Sequence, residues 1–248
     1  MVDLAIGLCN DGFVVLMMDV EGHGLSDGLH GCIHDFSAIV CDLSDYFMES
    51  MRRNDLLEKP FFIYGVSMGG AVAFNLCTLP QCRELQGHIR GVILSAPMVQ
   101  ISDDLKPPAI VVAIIRIFAR LIPLAPITPI EDILDKCFKI DSQKLRARSH
   151  CLQYNMKPRL HTSLVMLHTT EDITARMGEL STPVLIIHGG ADAVTCPELS
   201  RALYEKCASK DKLLKIYPGC VHDLLNGEDA SQVFVIYNDI VNWMRERL

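Results

Sequence analysis

Three residues of this chain have the types and the order needed for nucleophilic acyl transfer: Ser67, Asp192 and His222. Ser67 lies in Gly65-Val66-Ser67-Met68-Gly69-Gly70, which fits G-x-S-x-G. The apolar run Pro60-Phe61-Phe62-Ile63-Tyr64 before it reads as a short buried strand. Residues 71–77 behind it are helix formers and stop before Pro80. A strand, a sharp turn and a helix in that order lift a serine Oγ clear of a sheet. They also aim helix N–H groups at the place where negative charge will develop. Gly65 and Gly69 are expected to make room for the strained backbone, because a Cβ at either would crowd the facing chain. A serine hydroxyl is a poor nucleophile at neutral pH without a base. His222 can take its proton and return it to the leaving group, and Asp192 would fix the His222 tautomer and stabilise its imidazolium. The Met68 backbone N–H, directly after the nucleophile, is the oxyanion donor that can be assigned.

The elements that must position these residues follow from the hydrophobic pattern. Residues 13–18, 60–64, 91–94, 183–187 and 213–217 are short apolar runs that read as strands. Residues 35–51 carry Phe36, Val40, Leu43, Phe47 and Met51 at helical spacing, with Asp35 as N-cap. Residues 233–244 read as a last helix, and Asn10-Asp11-Gly12 as the stop of a first one. Alternating strands and helices imply a parallel sheet with its chemistry at the carboxyl ends of the strands. Ser67, Asp192 and His222 each follow such an end, in the order Ser, Asp, His. Other candidates are weaker. His23 is read as part of a glycine-punctuated turn, His188 as satisfying backbone groups near Asp192, and Asp223 as pointing away from its neighbour His222.

Length and composition narrow the class. A chain of 248 residues with 50% hydrophobic and 21% charged residues suits one globular α/β domain. A net charge of −7 argues against nucleic acid and against electrostatic docking on anionic lipid. The ten cysteines are scattered without C-x-x-C or paired Cys/His spacing, so zinc is not expected, and no metal or cofactor is called for. No secretory signal opens the chain, so a cytoplasmic setting with reduced thiols is expected. The strand–helix alternation lapses over 99–180, which reads as a cap inserted between two strands. Within it, residues 109–122 are apolar on almost every side, relieved by Arg116 and Arg120. Ile114 and Phe118, one helical turn apart, are the candidate acyl-binding pair and a candidate for peripheral contact with membrane or micelle surfaces.

These stretches together resemble monoacylglycerol lipases of the α/β-hydrolase superfamily, above all the plant branch that includes caffeoylshikimate esterase-like proteins. The resemblance rests on residues 19–28 around Gly22-His23-Gly24, the elbow Gly65 to Gly70, Ala96-Pro97-Met98, residues 188–197 and residues 217–222. Lys106-Pro107-Pro108 and Lys157-Pro158-Arg159 extend it into the cap. It implies an α/β-hydrolase fold: a mostly parallel sheet, helices on both faces, and a cap admitting one acyl chain to Ser67. It implies hydrolysis of monoacylglycerol or a similar carboxylic ester. A lysophospholipid or a caffeoylshikimate-type phenolic ester is an alternative substrate. The family also has strands before the one at Phe13, and a His-Gly loop that supplies a second oxyanion donor. This chain has no such residues and reads as N-terminally truncated. One of the absent strands would lie between those at Phe13 and Phe61, so a closed-up or loosely ordered sheet edge is expected there. A non-catalytic hydrolase-fold protein or a weakly active truncated form is therefore the alternative from another class.

Overall fold

The computed structural model describes residues 2–99, 109–128 and 133–248. Four strands, β1 (Phe61–Val66), β2 (Ile89–Ser95), β3 (Val184–Gly189) and β4 (Lys212–Tyr217), form a parallel sheet in the order β1-β2-β3-β4. The helices are α1 (Val2–Asn10), α2 (Phe36–Arg53), α3 (Met68–Thr78), α4 (Arg83–Gln86), α5 (Ala109–Leu121), α6 (Leu134–Cys137), α7 (Asp141–Arg148), α8 (Leu160–Arg176), α9 (Pro197–Lys206) and α10 (Ala230–Arg245). Each strand expected from residue 60 onward is present within a few residues of its expected bounds.

The sheet is covered on both faces, which explains runs that are continuously apolar rather than alternating. Val92, Leu94, Val184 and Ile186 turn toward Phe74 of α3, Val40 of α2, Ile173 of α8 and Leu203 of α9. Ile93, Leu185 and Ile187 turn the other way, toward Ile236, Ile240 and Trp243 of α10. β3 is buried at every position. Asp35 caps α2 by accepting the Ser37 N–H at 2.8 Å.

Residues 13–18 depart from expectation: residues 13–20 form no strand. A strand needs a ladder partner, and apolar content alone does not supply one. The segment is instead pinned at its ends. The Phe13 N–H donates to Leu8 O at 3.0 Å, and the Tyr46 hydroxyl donates to Met17 O at 2.8 Å. A cavity of about 470 Å³ separates it from β1, lined by Phe13, Leu16, Phe61, Phe62 and Met244 among others. Among the described residues β1 pairs on one side only, with β2. The closed-up form expected for this edge is thus not found: among the described residues no ladder joins residues 13–18 to β1, and a cavity lies where it would run.

Helices α5 to α8 lie between β2 and β3, and no strand occurs among the described residues of 99–180. Lys106-Pro107-Pro108 falls outside the described residues. α5 seats Ile115 and Ala119 against Leu160 and Leu164 of α8. The start of α8 is fastened to the glycine loop. The Arg159 guanidinium donates to His30 O at 3.0 Å, and Thr162 Oγ1 accepts the Ile33 N–H at 3.0 Å. No helix among the described residues is long and apolar enough to cross a membrane.

Candidate active site

Ser67 sits between β1 and α3 with φ +53° and ψ −116°. A non-glycine residue in such a conformation costs on the order of 1–3 kcal/mol and persists only where its surroundings hold it. Here they do. The Ser67 N–H donates to Ser95 O at 3.0 Å, while Ser67 O accepts from the N–H groups of Gly70 and Met98, each at 2.9 Å. A Cβ on Gly65 would stand 2.2 Å from Gly69 O, so the glycine before the turn is required. The expectation for Gly69 does not hold, because a Cβ there meets nothing within 4 Å. The second close approach belongs to Gly70, whose Cβ would lie 2.6 Å from Pro97 Cβ. The Met68 N–H opens α3 next to Ser67, and no acceptor is paired with it among the described residues.

Asp192 and His222 meet. His222 Nδ1 lies 2.7 Å from Asp192 Oδ2, and the Asp192 side chain is fully enclosed. The loops bearing them are in close backbone contact. The N–H groups of Gly190 and Ala191 donate to Tyr217 O and Cys220 O at 2.8 Å, and a Cβ on Gly189 would stand 2.3 Å from Val221 O. Burial alone would raise the Asp192 pKa. Hydrogen bonds from His188, His222 and the Val194 N–H outweigh it and hold the carboxyl well below the usual carboxylate range. Asp192 is thus a carboxylate at neutral pH, and His222 Nδ1–H donates to it. His222 Nε2 makes no hydrogen bond among the described residues. Thr195 ties this pair to the elbow side, its hydroxyl 2.9 Å from Asp192 Oδ2 and 3.2 Å from Ala96 O. Ala96-Pro97-Met98 is the turn that packs on Gly70 and donates to Ser67 O.

The other sequence candidates fall as follows. His23 is local to its turn, Nδ1 lying 3.0 Å from Glu21 O. Asp223 accepts from the Asn226 N–H and side-chain amide at 3.0 and 2.9 Å, away from its neighbour His222. His188 departs from its expected backbone-only role, since its Nε2 also lies 3.0 Å from Asp192 Oδ2. Ile114 and Phe118 are each 46% exposed, on the flank of α5 beside the buried Ile115 and Ala119. They form an open apolar surface rather than an enclosed wall.

Sequence reasoning missed Thr195 and Glu228. The Glu228 side chain is buried at 1% exposure and accepts the Val221 N–H, beside His222, at 2.6 Å. Its other oxygen receives Lys139 Nζ at 2.5 Å, from the segment between α6 and α7. Nothing in a lone Glu or Lys at those positions signals this; only the folded loops bring them together. Burial pushes the Cys220 thiol up to about 11, with the Glu228 charge adding to it, so no thiolate competes with Ser67 here at neutral pH.

Residues 1–229 match the family described as serine aminopeptidase, S33. The chain is 31% identical to caffeoylshikimate esterase of Arabidopsis thaliana, over 96% of this chain and 70% of that protein. It is 27% identical to human monoglyceride lipase, over 99% of this chain and 77% of that protein. The solved monoacylglycerol lipase of Paleococcus ferrophilus superposes with a TM-score of 0.81 at 24% identity, covering 99% of this chain and 88% of the other. The family match covers nearly the whole chain, and the parallel sheet agrees with it: the chain belongs to the serine aminopeptidase, S33 family and has the α/β-hydrolase fold.

Proposed function

We propose that this protein is a serine esterase that cleaves monoacylglycerol, or a carboxylic ester of similar shape, to a free acid and an alcohol. The observation that carries the reading is the strained Ser67, fastened through Met98, Ala96 and Thr195 to an enclosed Asp192–His222 pair. In this mechanism Ser67 Oγ attacks the ester carbonyl carbon while His222 Nε2 takes the hydroxyl proton. The carbonyl π electrons move onto oxygen, and the resulting oxyanion faces the Met68 N–H at the start of α3. Collapse breaks the bond to the alcohol oxygen, which leaves with the proton from His222. Water then repeats the sequence on the acyl-enzyme, giving the acid and free Ser67. Asp192 stays ionised throughout and steadies the His222 imidazolium. Relatives named as monoacylglycerol and monoglyceride lipases support the substrate class.

A second substrate reading, a caffeoylshikimate-type ester, is supported by the relative at 31% identity, which carries that name. A lysophospholipid is a further variant on the same triad. In either case we take residues 99–180 as a cap on a single domain, with the exposed face of α5 around Ile114 and Phe118 meeting the lipid surface.

A serine-directed covalent probe and a panel of monoacylglycerols, lysophospholipids and hydroxycinnamoyl esters test this. Labelling should vanish in Ser67→Ala. His222→Ala should lose on the order of 10³-fold or more in turnover. An inert wild-type chain would leave the non-catalytic reading standing, and near-normal turnover in His222→Ala would move the base elsewhere.

A further inference from the structure

Asp192 is held by more than the triad needs. Oδ1 accepts the N–H groups of Val194 and Thr195 at 2.7 and 3.0 Å. Oδ2 accepts from the Thr195 hydroxyl at 2.9 Å and from His222 at 2.7 Å, and His188 Nε2 lies 3.0 Å from the same oxygen. One carboxylate oxygen therefore serves two imidazoles.

His188 and Asp192 are anchored differently. His188 is in β3, in register with Ile216 of the neighbouring strand, and is fully buried. Asp192 lies on the loop past the end of that strand. The partners Val194 and Thr195 belong to the same loop as Asp192, whereas a ring fixed to a ladder ties the carboxylate to the sheet. The chemistry of the ring is also fixed. Nε2 faces two acceptors, Asp192 Oδ2 and Thr195 O, each at 3.0 Å, so it carries a proton. Nδ1 lies 2.7 Å from the hydroxyl of Ser200, itself fully buried on α9. In the neutral ring Nδ1 accepts and Ser200 donates. Both nitrogens are thereby engaged, which a buried imidazole requires.

We infer that His188 is a positioning residue for Asp192, its ring held in place by Ser200, and that it fixes the carboxylate oxygen on which His222 depends. The inference rests on the triad proposed above. His188 is not itself a base, since it is enclosed and both of its nitrogens are occupied. Its contribution belongs to the step in which the His222 imidazolium forms, because that is when the orientation of Asp192 matters most. It should therefore appear in kcat and not in KM.

The test compares wild type, His188→Leu, His188→Gln and Ser200→Ala on a soluble short-chain p-nitrophenyl ester, with a thermal melt for each. His188→Leu fills the site without a donor and should lower kcat on the order of 10- to 100-fold, with KM within about twofold, as loss of an orienting partner does. His188→Gln keeps an N–H donor and should return kcat to within about fivefold of wild type. Ser200→Ala leaves Asp192 untouched yet removes the partner of Nδ1 and loosens the ring, and should cost roughly 3- to 10-fold in kcat. A folded His188→Leu with kcat within twofold of wild type overturns the inference, as does a His188→Gln no better than His188→Leu. Should His188→Leu fail to fold, Ser200→Ala decides: unchanged kcat there overturns the inference while leaving the triad intact. A wild-type chain without turnover overturns the triad reading and this one with it.

Discussion

Helices α3 and α5 are both apolar on almost every side, yet the fold treats them oppositely. Gly70 through Cys77 of α3 are all buried. Among the described side chains of α5 only Ile115 and Ala119 are, whereas Ile110, Ile114, Ile117, Phe118 and Leu121 stand open to solvent. The difference lies in side-chain size and in surroundings. Gly70, Ala71 and Ala73 are small enough to let α3 settle between the sheet, α2 and α8. The large side chains of α5 find one partner, α8, along a single stripe. Apolar composition states that a helix gains by being covered; its place in the fold decides whether a cover is supplied. Fully burying an aliphatic or aromatic side chain is worth about 1.5–3 kcal/mol, and the outer face of α5 leaves that gain unrealised.

The largest break in this comparison should come at the foot of α3. In Gly65→Ala the added methyl would fall on the Gly69 carbonyl, which is backbone and cannot swing aside. A loss on the order of 3 kcal/mol or more is expected, together with loss of activity. Gly69→Ala, with open space around its Cβ, should melt within about 1 kcal/mol of wild type and can gain from the better helix former. Urea titration of both variants decides it. Equal damage from the two would mean that the motif demands glycine for a reason other than packing.

The same contrast shows how far the residues alone could be read. The strands from β1 onward were legible because each holds a short run of large apolar residues with Pro or Gly close by, most fully in β3, which is buried at every position. Ser67, Asp192 and His222 could be singled out as candidates because a strand end followed by a turn is a local pattern, and of these the structure brings Asp192 and His222 into contact. Residues 13–18 carry the same apolar signal as β3, but a strand exists only with a partner, and pairing is a property of two segments. Gly69 was misread and Gly70 overlooked for a related reason: a close approach depends on Pro97, nearly thirty residues away. Glu228, Lys139 and the contact of His188 with Asp192 were hidden likewise, since each gains its role from a distant loop.

A middle-sized effect is expected where the insertion is tied to the site by a polar contact. Lys139→Met removes a cation from Glu228, leaving a carboxylate at 1% exposure that still accepts the Val221 N–H. Lys139 itself is 42% exposed, so solvent screens the pair and a cost of about 1–2 kcal/mol is expected. Glu228 also holds the Val221 N–H beside His222, so turnover should fall several-fold along with stability. A stable Lys139→Met enzyme with unchanged kcat would show that the insertion and the His222 loop are independent.

The smallest effect on stability, and the most selective on activity, should come from the open face of α5. Ile115→Ser replaces a residue seated against α8 and should cost about 2 kcal/mol or more in a melt. Ile114→Ser and Phe118→Ser alter half-exposed positions and should each stay within about 1 kcal/mol. Were these two residues part of a purely structural helix, their replacement would leave every substrate equally affected. Were they the surface that meets aggregated lipid, the loss would track the substrate: long-chain esters presented in micelles would turn over more slowly, and soluble short-chain esters would not. The side chains differ in size, so the single variants should be graded and the double variant lowest. Arg116 and Arg120 lie on the same helix, so salt should be varied alongside. Apolar contact weakens little with ionic strength, whereas attraction of these guanidinium groups to an anionic surface is screened beyond about 10 Å at 0.1 M. A salt-insensitive, chain-length-dependent loss in the double variant assigns the outer face of α5 to lipid contact, and an equal loss on short and long esters assigns it to holding the helix in place.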